Sequence, residues 1–158
     1  MTRYFPQAPE LQASEWINTA ESISLASLRG RIVMLHAFQM LCPACVALGV
    51  PQAQRVWETF KQGEVVVIGM HTVFENHDAM TPHALRGFVR EHGLSFPIGI
   101  DQHREGASIP ATMYALQLQG TPSTVLIDRQ GRVRLHHLGH IEDLRLGVMF
   151  GRLLAEQD

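Results

Sequence analysis

The sequence predicts an α/β fold in which helices flank a mixed central sheet, and three observations lead to this class. Apolar stretches of strand character alternate with amphipathic helical stretches along the chain. A helix separates the first clear strand, residues 31–38, from a second at 64–71, which implies a parallel pair with a right-handed crossover. Near the C-terminus, residues 123–128 and 132–137 flank a short Arg-Gln-Gly turn, which is typical of an antiparallel hairpin.

Length and composition restrict the function classes. A chain of 158 residues suits a single domain, residues 1–158, with a hydrophobic core. A net charge of -2 argues against a nucleic-acid or polybasic membrane surface. No apolar run is long enough to span a membrane, and the start lacks the apolar segment of a signal peptide, so a cytoplasmic location is expected. Composition leaves both a monomer and a homodimer open.

The N-terminal part is predicted to be irregular up to residue 13. Two short alternating runs, residues 15–18 and 22–25, are candidates for a hairpin. The strand that follows them is apolar almost throughout, as expected of a strand buried on both faces. A helix over residues 46–61 comes next, and Pro51 is expected to kink it.

The second half of the chain supplies further elements. Thr81 is a plausible N-cap for a helix over residues 81–92. Residues 96–100 are predicted to form an edge strand, where a proline is tolerated. Two more helices are predicted over residues 108–117 and 141–155. The expected strand order is 96–100, 64–71, 31–38, 123–128 and 132–137, with 123–128 antiparallel to 31–38.

Both cysteines lie in Cys42-Pro43-Ala44-Cys45, directly after the strand over residues 31–38. Cys42 is expected to be the N-cap of the following helix, with Pro43 at the first helical position, where its missing N–H costs nothing. The free N–H groups and the positive end of the helix dipole then favour the thiolate of Cys42. Cys45 lies one turn further in, is expected to be more buried, and can close a disulfide with Cys42. The pair therefore predicts a two-electron redox switch.

The competing interpretation of the cysteine pair is half of a zinc site. A zinc site needs two more ligands, and the chain has no second Cys-x-x-Cys or Cys-x-x-His. Histidines could supply them, but the one tight group, His136, His137 and His140, lies on a predicted strand, where adjacent side chains face opposite ways. Thiol–disulfide exchange is therefore favoured, with no metal and no cofactor expected.

With these elements in place, the chain resembles the thioredoxin-fold superfamily, and most closely the thiol–disulfide oxidoreductases of the TlpA and redoxin (AhpC/TSA-related) kind. Four features support the resemblance: the strand that leads into the Cys-x-x-Cys, a strand–helix insertion of about residues 64–100, a Gly-Thr-Pro ahead of a strand, and the strand–turn–strand over residues 125–133. It covers about residues 24–155 and leaves an N-terminal extension.

The resemblance implies roles for individual residues. Cys42 would be the nucleophile and Cys45 the resolving thiol, with Pro122 completing the catalytic set. The Thr121–Pro122 bond would be cis and lie against the two sulfurs. The backbone of Thr121 would then pair with an extended segment of the substrate.

Three departures from the family pattern bear on the redox potential and the partner surface more than on the fold. Leu41 stands where the family usually has Trp, and together with Pro43 it is expected to contact the partner. Pro51 falls one residue later than the usual helix proline. His36 occupies a position six residues before Cys42 that is often a buried acid or Asn. It is interpreted either as a core histidine or as a proton acceptor for the resolving thiol.

The expected function is therefore reduction or exchange of disulfides in partner proteins, with an upstream reductant and no nucleic acid or membrane partner. A peroxiredoxin is the first alternative, but Gln39 stands where its Thr should be and Leu35 where its Pro should be. A copper-binding module similar to the Sco proteins is the second. Those proteins use Cys-x-x-x-Cys and a distant His, and this chain has one residue too few between its cysteines.

Overall fold

The computed structural model describes residues 3–157, and in this part of the chain six strands form one sheet. The strands are β1 (Ala13–Ile17), β2 (Ile32–Phe38), β3 (Val65–His71), β4 (Ile98–Asp101), β5 (Ser123–Ile127) and β6 (Val133–Leu138). The helices are α1 (Val50–Thr59), α2 (Pro82–Glu91), α3 (Ala111–Ala115) and α4 (Asp143–Ala155). A 3-10 turn, Ala26–Leu28, precedes β2, and a π-helical turn, Cys45–Gly49, precedes α1.

The sheet is mixed, with the order β1-β4-β3-β2-β5-β6. β2 is parallel to β3 and antiparallel to β5, and β3 is parallel to β4. The predicted order of the last five strands and the antiparallel β5 are therefore confirmed. This topology brings the end of β2, the end of β3 and the start of β5 to one edge, where Phe38 pairs with His71 and Ala37 with Ser123.

The N-terminal strand corrects two predictions. β1 pairs antiparallel with β4, so residues 15–18 and 22–25 do not form a hairpin, and β4 is not an edge strand. Asn18, directly after β1, has a left-handed φ of 64°. The amide of Asn18 donates to the carbonyls of Leu94 and Phe96, at 2.9 and 3.0 Å. These bonds hold the end of β1 beside the segment that leads into β4.

Residues 22–25 form no strand, because the backbone N–H groups at the end of this segment bond to a side chain and not to a neighbouring strand. The backbone N–H groups of Leu25 and Ala26 donate to the carboxylate of Glu10, which supports the 3-10 turn that starts at Ala26.

The two faces of β2 pack against different layers. Met34 and Phe38 belong to the core shared with α1, α2 and α4. Leu35 and Ala37 belong to a second core with α3 and the N-terminal segment. Cys45 lies in the first core. Because side chains alternate along a strand, His36 faces the same layer as Cys45, which the sequence left undecided.

The helix after the cysteines, residues 43–59 and here called the cysteine helix, starts earlier and ends earlier than the predicted 46–61. Its first backbone bond runs from the N–H of Val46 to the carbonyl of Cys42, at 3.0 Å. The disturbance expected at Pro51 takes the form of the π turn, in which the N–H of Val50 donates to the carbonyl of Cys45. Proline has no N–H and crowds the preceding turn, so a local i→i+5 bond relieves the helix there.

The other helices follow the predictions with shifted ends. Thr81 caps α2 as expected, accepting from the N–H of Ala84 at 3.2 Å. α3 is shorter than the predicted 108–117 because the buried Asp101 carboxylate accepts the N–H groups of Thr112 and Met113 and sets where the helix begins. α4 begins two residues after the predicted start at 141. None of the helices described is long and apolar enough to cross a membrane.

Candidate active site

Cys42 lies at the start of the cysteine helix and acts as its N-cap, as predicted. The backbone N–H of Cys45 donates to the Cys42 sulfur at 3.3 Å. The Cys42 thiol in turn lies 3.6 Å from the Thr121 carbonyl oxygen, to which it donates. Cys42 is half-buried, and both cysteines are free thiols. A sulfur that receives a helix N–H is well placed to carry negative charge.

Cys45 has a different environment. Its side chain is 0% exposed. Burial, followed by a hydrogen bond with the Cys42 side chain, raises the pKa of Cys45 to about 12, although the Gln39 backbone and the Thr121 hydroxyl act in the opposite direction. Cys45 is therefore protonated at neutral pH and needs a base before it can attack.

The Thr121–Pro122 bond is cis and lies beside the cysteines, which confirms its predicted geometry and place. Pro122 is buried, and its carbonyl accepts the N–H of Gly139 at 2.8 Å. Thr121 is half-buried. The loop is therefore tied to the end of β6 on one side and contacts the Cys42 sulfur on the other.

Gln39 is a site residue whose structural role the sequence did not reveal. It is 1% exposed. Its amide nitrogen donates to the hydroxyl of Thr121 at 3.3 Å and to the carboxylate of Glu75 at 3.4 Å, and its amide oxygen accepts the N–H of Phe74 at 3.3 Å. Its carbonyl accepts the N–H of Cys42 at 3.0 Å. Gln39 thus connects the cysteine motif to the Thr121 loop and to the loop after β3.

His71 is a second residue that the sequence reasoning missed. It is buried at the end of β3, and its Nε2 accepts the backbone N–H of Met40 at 3.1 Å. Burial lowers the pKa of His71 to about 4, so the ring is neutral and can accept this bond. The sequence did carry a signal for this role, because His71 ends the predicted strand 64–71, which is parallel to the strand that leads into the cysteines. The ends of neighbouring parallel strands lie at the same edge of a sheet.

His36 is 1% exposed, and neither ring nitrogen has a hydrogen-bond partner among the described residues. Burial, and then the charge of His140, lowers the pKa of His36 to about 4. A Cβ at Gly49 would lie 2.7 Å from Cε1 and 2.8 Å from Nε2 of His36, so only glycine fits against the ring. His36 faces the layer that contains Cys45 without a hydrogen bond to its sulfur, and its role as a proton acceptor stays a prediction.

The residues expected to contact a partner lie at the surface. Leu41 is 52% exposed, and Pro43 is also exposed. Leu138, 54% exposed, lies at the end of β6 beside Gly120, which directly precedes Thr121. The surroundings of Cys42 therefore present apolar side chains to solvent.

Among residues 3–157, no group of three or more His, Cys, Asp or Glu side chains is arranged to hold a metal ion. Within the same residues, the groups that hydrogen-bond the two sulfurs include the Thr121 carbonyl and hydroxyl and the backbone of Gln39, all of them neutral.

This arrangement defines a thioredoxin-like protein, and comparison with known proteins supports the class. A solved thiol-disulfide isomerase from Corynebacterium glutamicum shares 48% identity and a TM-score of 0.90, covering 95% of this chain and 98% of that one. A solved thioredoxin-like superfamily protein shares 47% identity and a TM-score of 0.93, covering 96% and 98%. The thiol-disulfide oxidoreductase ResA of Halalkalibacterium halodurans is 30% identical over 119 residues, which are 75% of this chain and 60% of ResA.

The model of the AhpC/TSA family matches residues 6–136. The chain therefore belongs to the AhpC/TSA family and shares the thioredoxin-like fold of its thiol–disulfide oxidoreductases. It spans about 60% of the length of the ResA protein that it matches.

Proposed function

We propose that the protein is an enzyme, a thiol–disulfide oxidoreductase that uses Cys42 and Cys45 to reduce or exchange disulfides in partner proteins. The observation that carries the proposal is the contrast between the two sulfurs. The Cys42 sulfur is accessible and receives a helix N–H, whereas Cys45 is buried and protonated. The names of the relatives point to the same chemistry.

In the proposed reaction, the Cys42 thiolate attacks one sulfur of the partner's disulfide, and the other sulfur leaves as a thiolate. Cys45 then loses its proton and attacks the Cys42 sulfur, which breaks the mixed disulfide and releases the second partner thiolate. The two cysteines are then oxidised to the Cys42–Cys45 disulfide, and the two electrons that they lost have reduced the disulfide of the partner to two thiols. An upstream dithiol reductant restores the two thiols.

The surface around Cys42 favours a partner segment with apolar side chains next to its disulfide. Leu41, which directly precedes the reactive Cys42, is exposed, as is Leu138 beside Gly120, and Thr121 offers backbone for pairing with an extended segment. No charged side chain hydrogen-bonds either sulfur among the described residues. Protein disulfides in extended, apolar segments are therefore the proposed substrate class.

Reduction of insulin in the presence of dithiothreitol tests the proposal, with turbidity as the measurement. The wild type should accelerate precipitation, and Cys42→Ser should match the rate without enzyme. Peroxide consumption is measured in parallel, because the AhpC/TSA family match makes a peroxidase the obvious competitor. Consumption of peroxide without insulin reduction would overturn the proposal.

A further inference from the structure

A carboxylate lies beside the Thr121 loop, and the proposed reaction makes no use of it. Glu75 belongs to the loop after β3, residues 72–80, and its side chain is exposed. One of its carboxylate oxygens accepts a hydrogen bond from the side-chain nitrogen of Gln39 at 3.4 Å, and the same nitrogen donates to the Thr121 hydroxyl at 3.3 Å. The Glu75 carboxylate therefore lies within two hydrogen-bond lengths of the residue whose carbonyl contacts the Cys42 sulfur.

The buried side chain of Gln39 holds this carboxylate in place. Its amide oxygen accepts the N–H of Phe74, so the two ends of one amide group bind two successive residues of the loop. Gln39 is buried, and a buried amide that lost these partners would be left without hydrogen bonds, which is costly. The exposed charge of Glu75 is therefore fixed at one point of the surface by a group beneath it.

No cation neutralises Glu75. None of the ion pairs formed among residues 3–157 includes it. Its loop contains no Lys or Arg, and the one other carboxylate of the loop is that of Asp78. The cysteine motif, residues 42–45, and the segment over residues 118–122 contain no charged side chain. Glu75 thus supplies negative charge next to segments that carry none.

A structural tie to Gln39 does not require a charged group. A neutral amide or hydroxyl at position 75 could accept the same hydrogen bond. A nearby negative charge also disfavours the thiolate that Cys42 must form, because like charges repel. A residue that costs reactivity at a reactive site is typically kept for another function there, such as recognition of the substrate.

We propose that Glu75 is a specificity-determining residue, which selects partner disulfides that have a Lys or Arg side chain close to the disulfide. The inference rests on the proposed function and narrows its substrate class to apolar, extended segments that carry a basic residue. A partner segment that pairs with the backbone of Thr121 brings its own side chains next to the Glu75 carboxylate. An ammonium or guanidinium group gains an ion pair there, whereas a carboxylate is repelled.

The covalent steps of the reaction are unchanged by this role. Glu75 transfers no proton and forms no bond with the partner, and its charge changes only how readily the partner approaches and binds. Opposite charges speed the encounter of two molecules, like charges slow it, and salt screens both effects. The role of Glu75 is therefore measured by comparing substrates of different charge.

Three small disulfides test the proposal with the whole reduced protein: cystamine, a dication, hydroxyethyl disulfide, which is neutral, and dithiodipropionate, a dianion. Maleimide labelling of the remaining thiols, followed by mass spectrometry, measures how fast each disulfide oxidises Cys42 and Cys45. Each rate is divided by the rate with the neutral disulfide. Comparison of these relative rates between variants cancels the intrinsic reactivities of the three disulfides.

The ratio of the cystamine rate to the dithiodipropionate rate should fall by about ten-fold in Glu75→Gln and further in Glu75→Lys. Gln keeps the size of the side chain and can still accept the bond from Gln39, so the fall reports the charge and not a lost contact. An ionic strength of about 1 M should lower the wild-type ratio toward that of Glu75→Gln, because the Debye length is then only about 3 Å.

Asp78→Asn is the matched control, since it removes the other carboxylate of the same loop and changes the net charge equally. It should keep the wild-type ratio. The role of Glu75 would be contradicted by a wild-type ratio in Glu75→Gln, or by an equal fall in Asp78→Asn, which would indicate an effect of net charge alone. A wild type whose two thiols remain reduced with all three disulfides would instead refute the proposed function itself.

Discussion

At the scale of single residues, Cys42 and Cys45 differ above all in their access to water. Cys42 is half-buried at the first turn of a helix, and Cys45 is fully buried beneath it. The helix N–H that reaches the Cys42 sulfur stabilises the thiolate, whereas burial stabilises the neutral thiol of Cys45. This contrast supports the proposed roles of Cys42 as the nucleophile and Cys45 as the resolving thiol.

This difference predicts the behaviour of the single-cysteine variants. Cys45→Ser should accumulate stable mixed disulfides with partner proteins, because the resolving thiol is absent. Cys42→Ser should form few mixed disulfides and should react slowly with iodoacetamide at neutral pH, because its remaining thiol has a pKa of about 12. Gel shifts and mass spectrometry measure both outcomes. The roles would have to be exchanged if Cys42→Ser alkylates as fast as the parent and Cys45→Ser does not.

Substitution of His36 should change the stability of the protein and its activity in opposite directions. In His36→Leu, two buried nitrogens without partners are replaced by an apolar side chain, so the free energy of unfolding should rise by about 1–3 kcal/mol. The same variant should resolve mixed disulfides more slowly if His36 accepts the proton of Cys45. Denaturant unfolding measures the stability. The release of the second aromatic thiolate, when the reduced protein reacts with Ellman's disulfide, measures how fast Cys45 resolves the mixed disulfide. A variant that loses stability and keeps its rate would show that His36 is an ordinary core histidine.

At the scale of elements, the cysteine helix and β2 are fitted to each other at one point of close approach. Gly49, in the π turn, lies directly against the ring of His36. The turn includes Cys45, so the backbone that carries the resolving thiol is positioned by the same contact. The geometry of this helix is thus coupled to the identity of a residue on the neighbouring strand.

Substitution of two helical glycines should therefore have opposite effects. Gly49→Ala should lower the free energy of unfolding by about 1–3 kcal/mol, because its Cβ would lie within 2.8 Å of the His36 ring. Gly87→Ala, in α2, is the matched control and should raise it by about 0.5–1 kcal/mol, because its Cβ meets nothing within 4 Å.

Adding His36→Ala to Gly49→Ala should recover part of the loss, since the larger ring is then absent. Denaturant unfolding of the wild type, the single variants Gly49→Ala and His36→Ala, and the double variant measures the coupling. Equal effects of the two glycine substitutions would mean that the ring is not held where the structure places it.

At the scale of the whole molecule, the sheet concentrates buried histidines at the edge that carries the cysteines. His36 and His71 lie on adjacent parallel strands, two residues apart in register. Burial keeps both neutral in the folded protein. Both buried histidines near the site are therefore uncharged above mildly acidic pH.

This burial predicts a loss of stability in mild acid. Both histidines titrate near pH 6.5 in the unfolded chain and near pH 4 in the folded protein. Between these pH values the unfolded state binds more protons than the folded state. The contribution of the two neutral histidines to the free energy of unfolding is therefore complete above pH 6.5 and is lost as the pH falls toward 4. Each histidine contributes about 1.4 kcal/mol per pH unit within this window.

Denaturant unfolding at a series of pH values measures the slope. His36→Leu should lose one histidine's share of it and keep the share of His71. A slope unchanged by this substitution would show that His36 is already charged or exposed in the folded protein.

The sequence by itself determined the chain of elements and the reactive motif. Strand and helix periodicities predicted five of the six strands in their order, and the Cys-x-x-Cys at a helix start predicted the N-cap geometry of Cys42, because both depend on neighbours within a few residues. The Gly-Thr-Pro signal, together with the family resemblance, placed Pro122 beside the sulfurs. These features could be predicted because each depends mainly on a short stretch of the sequence.

Tertiary structure alone decided the rest, because those features depend on residues far apart in the chain. β1 pairs with β4 rather than with residues 22–25, since Asn18 finds its partners near Leu94 and Phe96. The roles of Gln39 and His71 arise only where the loops after β2 and β3 meet. The face of β2 that carries His36, and its close approach to Gly49, follow from how the helix layer docks on the sheet. Alternation along a strand defines two faces but does not say which of them a distant helix covers.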